Sequence, residues 1–85
     1  MSKVVIYTKD YCPYCTKAKQ LLDIKKADYD EIDITNDASQ IQEMLKKSGG
    51  RKTVPQIFIN NKHIGGCDDL YALNEKGELD KLLAA

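Results

Sequence analysis

No charge of one sign is in surplus: thirteen lysines and arginines meet thirteen aspartates and glutamates, and neither half of the chain carries a long run of either. A basic footprint for nucleic acid and a polybasic anchor for a membrane surface are therefore excluded from the expected functions. Long hydrophobic runs are missing too. The run "VVIY" near the N-terminus is too short for a signal-peptide core and far too short to span a bilayer. The expectation is a soluble, cytoplasmic protein without nucleic-acid or membrane partners. At 85 residues the chain is sized for one small core, so residues 1–85 are expected to form a single domain. Three cysteines are a poor start for a disulfide framework of the secreted kind, which uses even numbers spread along the sequence. A close cysteine pair inside a cell points instead to catalysis or metal binding.

What is present reads as alternating strands and helices. "KVVIYT", Lys3 to Thr8, is β-branched and aromatic, as a buried strand requires. Pro13 suits a first helical position, where its missing N–H costs no hydrogen bond. Cys15, Ala18, Leu21, Leu22 and Lys25 then recur at helical spacing, with Thr16, Lys17, Lys19 and Gln20 toward water. "DYDEIDI", Asp28 to Ile34, reads as a second strand reached by a crossover, hence parallel to the first. Asn36 or Asp37 can cap a helix with Ala38, Ile41, Met44 and Leu45 on its apolar face, and Ser48-Gly49-Gly50 ends it. "QIFIN" and "KHIGG" flank Asn60-Asn61 as an antiparallel hairpin. "CDDLYALNEKG" follows as a helix that buries Leu70 and Leu73, and a last segment with Leu79, Leu82 and Leu83 docks on the same sheet. The expected fold class is α/β, a mixed four-stranded sheet in the order βαβ-α-ββ-α flanked by helices.

In this layout "CPYC" sits at the first strand-to-helix turn. The nucleophile of disulfide exchange is the thiolate, and a helix N-terminus favours an anion through unpaired N–H groups and the macrodipole. Cys12 holds that position, and Lys9 adds a cation. Cys15 lies one turn inward, where burial opposes ionisation. Cys12 is therefore the expected attacking thiol and Cys15 the resolving one. A more stable thiolate is more abundant but intrinsically less nucleophilic, so the attack rate gains little. The gain falls on the step in which Cys12 departs from a mixed disulfide, as suits a catalyst that passes sulfur linkages on.

The strand and helix order, with "CPYC", "TVPQIFI" and "GGCDDL" at these separations, resembles the thioredoxin fold and, within it, a small bacterial dithiol glutaredoxin, from "VVIYTK" to the last helix. That resemblance implies a glutathione-dependent thiol–disulfide oxidoreductase with glutathione as co-substrate and no tightly bound cofactor. Its substrates would be protein–glutathione mixed disulfides, using Cys12 alone, and protein disulfides, using Cys12 with Cys15. Ribonucleotide reductase is among the protein partners it allows, though no residue selects it, and the chain is expected to be a monomer. The resemblance makes Pro55 cis and pairs Val54 like an added strand with the cysteine of bound glutathione, beside Thr53. It places the γ-glutamyl end at Gly66, Cys67 and Asp68: a helix N-terminus can take the α-carboxylate and an aspartate the α-ammonium. Lys9 and Arg51 are candidates for the glycyl carboxylate, and Tyr14 for a contact surface beside the sulfurs.

Plainer readings stand beside these. Cys67 is expected to be a small filler at a helix start rather than a third redox centre, and His63 a strand residue rather than a ligand. Asp68 could serve only as a helix-start charge and Lys9 only as a solvated lysine. Tyr7, Tyr29 and Tyr71 read most simply as packing residues. Cys12, Cys15, Cys67 and His63 have the ligand types of zinc but not the spacing of a dedicated zinc module, so no metal is expected. Some relatives bridge two subunits with an iron–sulfur cluster, and Pro13 argues against that here. A thioredoxin proper typically carries tryptophan before "CGPC"; this chain has no tryptophan and reads "YCPYC".

Overall fold

The computed structural model describes residues 2–85. Its elements in chain order are β1 (Val4–Thr8), α1 (Pro13–Ile24), β2 (Tyr29–Asp33), α2 (Ala38–Lys47), β3 (Gln56–Ile59), β4 (Lys62–Gly65), α3 (Cys67–Glu75) and α4 (Glu78–Ala84). They build one mixed sheet in the order β2-β1-β3-β4. β1 runs parallel to β2, from Val4 opposite Tyr29 to Thr8 opposite Asp33, and antiparallel to β3, from Val4 opposite Ile59 to Tyr7 opposite Gln56. β3 and β4 pair antiparallel.

Both faces of the two central strands are covered, which explains why they read as continuous apolar runs. Successive side chains of a strand point to opposite faces. Val4, Ile6, Ile57 and Ile59 accordingly join Ala18, Leu21 and Leu22 of α1, Cys67 and Leu70 of α3, and Leu79 of α4 in one core. Tyr7 and Phe58 turn the other way and meet Ile34 and Met44, with Ile41 of α2 packed against them. Truncating a residue such as Leu22, which is fully buried, to alanine would cost about 2–5 kcal/mol.

The turn chemistry follows residue type. Asn60 and Asn61 adopt φ of 52° and 65°, the left-handed pair that a two-residue hairpin needs, between Ile59 and Lys62. Asp37, rather than Asn36, caps α2 by accepting from the Gln40 N–H at 3.1 Å. The last segment forms a helix of its own, α4, set off by Gly77 at φ 73°. Lys25 closes α1 as its C-cap and pairs with Asp80 of α4 at 2.9 Å instead of extending the apolar face. Ala38 is exposed, so the apolar face of α2 starts at Ile41. Among the described residues, no helix is long and apolar enough to cross a membrane.

Candidate active site

The chain leaves β1 at Thr8, and two ties fix where it goes. The buried Thr8 hydroxyl donates to Glu31 Oε2 at 2.7 Å, and Lys19 of α1 meets the same oxygen at 3.0 Å. The Thr8 hydrogen bond, supported by Lys19, holds the Glu31 carboxyl below its ordinary range against the opposing effect of burial. Two residues on, the Asp10 N–H donates to Thr35 Oγ1 at 2.9 Å, and Thr35 in turn donates to Asp33 from its hydroxyl and its N–H. The loop is thereby tied to β2 and to Thr35 just beyond it. Tyr11 then takes a positive φ of 53° and turns its ring fully into water, and the next residue is Cys12.

Cys12 is the N-cap of α1, and its Sγ accepts from the Cys15 N–H at 3.1 Å. A sulfur therefore takes the place that Ser, Thr or Asp usually fills, receiving an otherwise unpaired first-turn donor. Cys12 Sγ and Cys15 Sγ form a disulfide across a Cα separation of 5.2 Å. Cys12 is half-buried whereas Cys15 is only 2% exposed, so the first sulfur is the accessible one. On the far side of Cys12, Sγ lies 3.8 Å from the Val54 carbonyl oxygen. The Val54–Pro55 peptide is cis.

An open groove of about 430 Å³ starts beside this pair, lined by Tyr14, Arg51, Thr53, Val54, Pro55, Gly66, Cys67, Asp68 and Asp69. It thus brings together three separate stretches that the sequence reading selected. Its far wall is the N-terminus of α3, whose first-turn N–H groups have no intrahelical acceptor. One of these donors is already used: the Gly66 N–H donates to Asp69 Oδ2 at 2.9 Å. The same oxygen meets Arg51 Nη1 at 3.4 Å, which sets the guanidinium on the groove rim. Anion-binding capacity at the helix start then rests with the amides after Gly66, flanked by the exposed Asp68 carboxylate.

Lys9 stands apart from that set. It lines a second groove, with Asp10, Cys12, Cys15, Glu31 and Asp33. Cys67 is 5% exposed and belongs to the core, and burial pushes its thiol up, so it keeps its proton near neutrality. His63 packs against Phe58 and bonds Gln56. Burial, with Arg51 acting in the same direction, pushes its imidazole down. Tyr7 is core and Tyr29 packs at its edge, while the Tyr71 hydroxyl donates to the Lys17 carbonyl at 3.0 Å. None of these three lines the groove. Among the described residues, no three His, Cys, Asp or Glu side chains cluster closely enough to hold a metal.

Two residues escaped the sequence reading. Asp69 is the third helical residue after Gly66, the position from which an acidic side chain reaches back to the N-cap amide, and that spacing was its available signal. Gln56 was betrayed only by being polar inside the wholly buried strand "QIFI".

A family model described as Glutaredoxin matches residues 4–64. Among relatives, Glutaredoxin 3 of Escherichia coli (strain K12) is 57% identical over 83 residues, covering 98% of this chain and 99% of that protein. The solution structure of glutaredoxin from Brucella melitensis superposes with a TM-score of 0.82 at 53% identity, covering 95% of this chain and 87% of that one. The crystal structure of a buckwheat glutaredoxin–glutathione complex superposes with a TM-score of 0.86 at 36% identity, covering 98% of this chain and 77% of that one. The mixed sheet, the helix-capping Cys12 with Cys15 behind it, and these matches converge: the chain belongs to the glutaredoxin family, whose members are thiol–disulfide oxidoreductases.

Proposed function

We propose that the chain is a glutathione-dependent oxidoreductase that reduces protein–glutathione mixed disulfides with Cys12 alone and protein disulfides with Cys12 and Cys15. The observation that carries this reading is the position of Cys12 Sγ between the start of α1 and the carbonyl of Val54, a residue that lines the groove ending on α3. The buckwheat protein, solved as a glutathione complex, supports the choice of tripeptide. Glutathione's γ-glutamyl end carries an α-carboxylate and an α-ammonium, which the free amides of α3 and the Asp68 carboxylate match in sign. Its glycyl carboxylate suits Arg51 on the rim, and Val54 offers backbone groups for strand-like pairing beside Thr53 and Pro55. Tyr14 supplies an exposed aromatic flank. Lys9 lines the adjoining groove with Cys12 and is, with Arg51, a candidate for the glycyl carboxylate.

In the one-thiol cycle, the Cys12 thiolate attacks the glutathionyl sulfur of the mixed disulfide, and the protein thiolate leaves and takes a proton. A second glutathione thiolate then attacks that same glutathionyl sulfur, so that glutathione disulfide forms and Cys12 departs as thiolate. In the two-thiol cycle, Cys12 attacks one sulfur of a protein disulfide. Cys15 attacks Cys12 Sγ and expels the protein's thiol, leaving the Cys12–Cys15 disulfide, which two glutathione molecules reduce. The chain acts in this reading as a single-domain cytoplasmic monomer, with ribonucleotide reductase among its candidate protein substrates.

Turnover of a small glutathionylated disulfide, coupled to glutathione and its reductase, tests the assignment in the wild type, Cys12→Ser and Cys15→Ser. Activity should vanish with Cys12→Ser and persist with Cys15→Ser, while reduction of a protein disulfide should be lost in both. Protein-disulfide reduction retained by Cys15→Ser would remove Cys15 from its role.

A further inference from the structure

Gln56 opens β3 directly after Pro55 and is fully buried, which obliges its amide to find partners on both ends. Its Nε2 donates to the Thr53 carbonyl oxygen at 2.9 Å and to Thr53 Oγ1 at 3.2 Å. A carbonyl oxygen only accepts, so the NH₂ end must face Thr53 and Oε1 must face the other way. There it meets His63 Nε2 at 2.7 Å. Because an amide oxygen only accepts as well, the imidazole must carry its proton on Nε2. The ring on β4 packs against Phe58 at a 37° tilt, with centroids 5.1 Å apart. The result is a one-way chain of hydrogen bonds from His63 through Gln56 to Thr53. It ends on the segment whose next residue, Val54, puts its carbonyl 3.8 Å from Cys12 Sγ.

Thr53 and Val54 lie outside regular secondary structure, so no strand ladder fixes them. Neither Gln56 nor His63 lines the groove. We infer that Gln56 and His63 are positioning residues, which hold the Thr53–Val54 wall against Cys12 so that its backbone groups stay aimed at the substrate. The inference rests on the proposed reaction, since it assigns Val54 the task of pairing with the glutathionyl group.

Two substitutions separate positioning from packing. His63→Phe keeps an aromatic ring on Phe58 and removes the donor, whereas His63→Gln keeps an N–H donor and removes the ring. The KM for a small glutathionylated disulfide is expected to rise about threefold to tenfold in His63→Phe, the worth of one hydrogen bond, with kcat within about twofold. His63→Gln should stay within about twofold on both. The substrate-free backbone amide spectrum should match: the Thr53 and Val54 amide signals shift in His63→Phe and stay near wild type in His63→Gln. Gln56→Met, similar in volume and unable to bridge, should repeat the His63→Phe pattern and decides the matter if His63→Phe fails to fold. The opposite order, with His63→Phe like wild type and His63→Gln impaired, would make His63 a packing residue and overturn the inference, as would Thr53 and Val54 signals unmoved in every variant. An inactive wild type would instead defeat the proposed reaction, while the substrate-free spectra would still decide the positioning.

Discussion

Cys12 and Cys15 are chemically identical and one helical turn apart, and their environments alone set them apart. Cys12 caps α1 and accepts the Cys15 N–H, an interaction that strengthens when the sulfur carries charge; Cys15 is buried beneath it. That difference in position was legible in the sequence because Pro13 marks where the helix begins, so the cap follows by counting. The selection of Asp68 rested on the resemblance, since an acid beside a helix start reads by itself as a helix-start charge. If its carboxylate takes the α-ammonium of glutathione, Asp68→Ala should raise the KM for glutathione about tenfold or more, as expected for a lost hydrogen bond to a charged group. Steady-state kinetics at varied glutathione checks this, and an unchanged KM would take Asp68 out of the site. The Asp69–Arg51 ion pair and the Gln56–His63 bond were not legible, because each depends on which residues a fold brings face to face. The hydrogen bond of Gln56 crosses from β3 to β4, and the ion pair of Asp69 reaches the loop after α2.

Elements show the same split between local and distant causes. The hairpin at Asn60-Asn61, the N-cap of α2 and the start of α1 are written in residues that touch their own neighbours in sequence. The placement of Lys9 in a second groove is a property of the loop after β1 as it leans on Thr35 and Glu31, and counting along the chain does not reach it. The two glycines before α3 look interchangeable in sequence and are not. Gly65 sits at φ 121°, a region closed to other residues, and a Cβ there would run into the Asp69 carboxylate. Gly66 has an ordinary φ of −95°, and a Cβ there would lie at normal contact distance, 3.4 Å, from the Pro55 carbonyl oxygen. Gly65→Ala should therefore lower the unfolding free energy by about 1–3 kcal/mol, whereas Gly66→Ala should fold at near wild-type stability. Urea titration of both proteins reads the difference, and equal midpoints would contradict the account.

At the scale of the whole molecule, the four-stranded order and both cores follow from strands apolar on two faces flanked by helices apolar on one. Acid should loosen that assembly in two stages. His63 has its folded pKa pushed below the ordinary 6.5, chiefly by burial and then by Arg51. From 6.5 down to the folded value the unfolded chain binds more protons than the folded one, so stability is whole above 6.5 and falls as pH drops through that window. Glu31, held below its ordinary 4.5 by Thr8, adds a second loss beginning only below 4.5. Unfolding free energy of the oxidised protein should decline as pH falls below about 6.5, and His63→Phe should flatten that decline. A flat wild-type profile would show that burial does not disfavour the charged imidazole.

One half-buried sulfur at a helix cap, Cys12, is the group proposed to carry the glutathionyl moiety. Incubating Cys15→Ser with glutathione disulfide and weighing the intact and digested protein tests it most directly. One glutathionyl group on Cys12, released by added glutathione, is the predicted result. A protein that stays unmodified, or one modified at the buried Cys67 while Cys12 remains free, would contradict it.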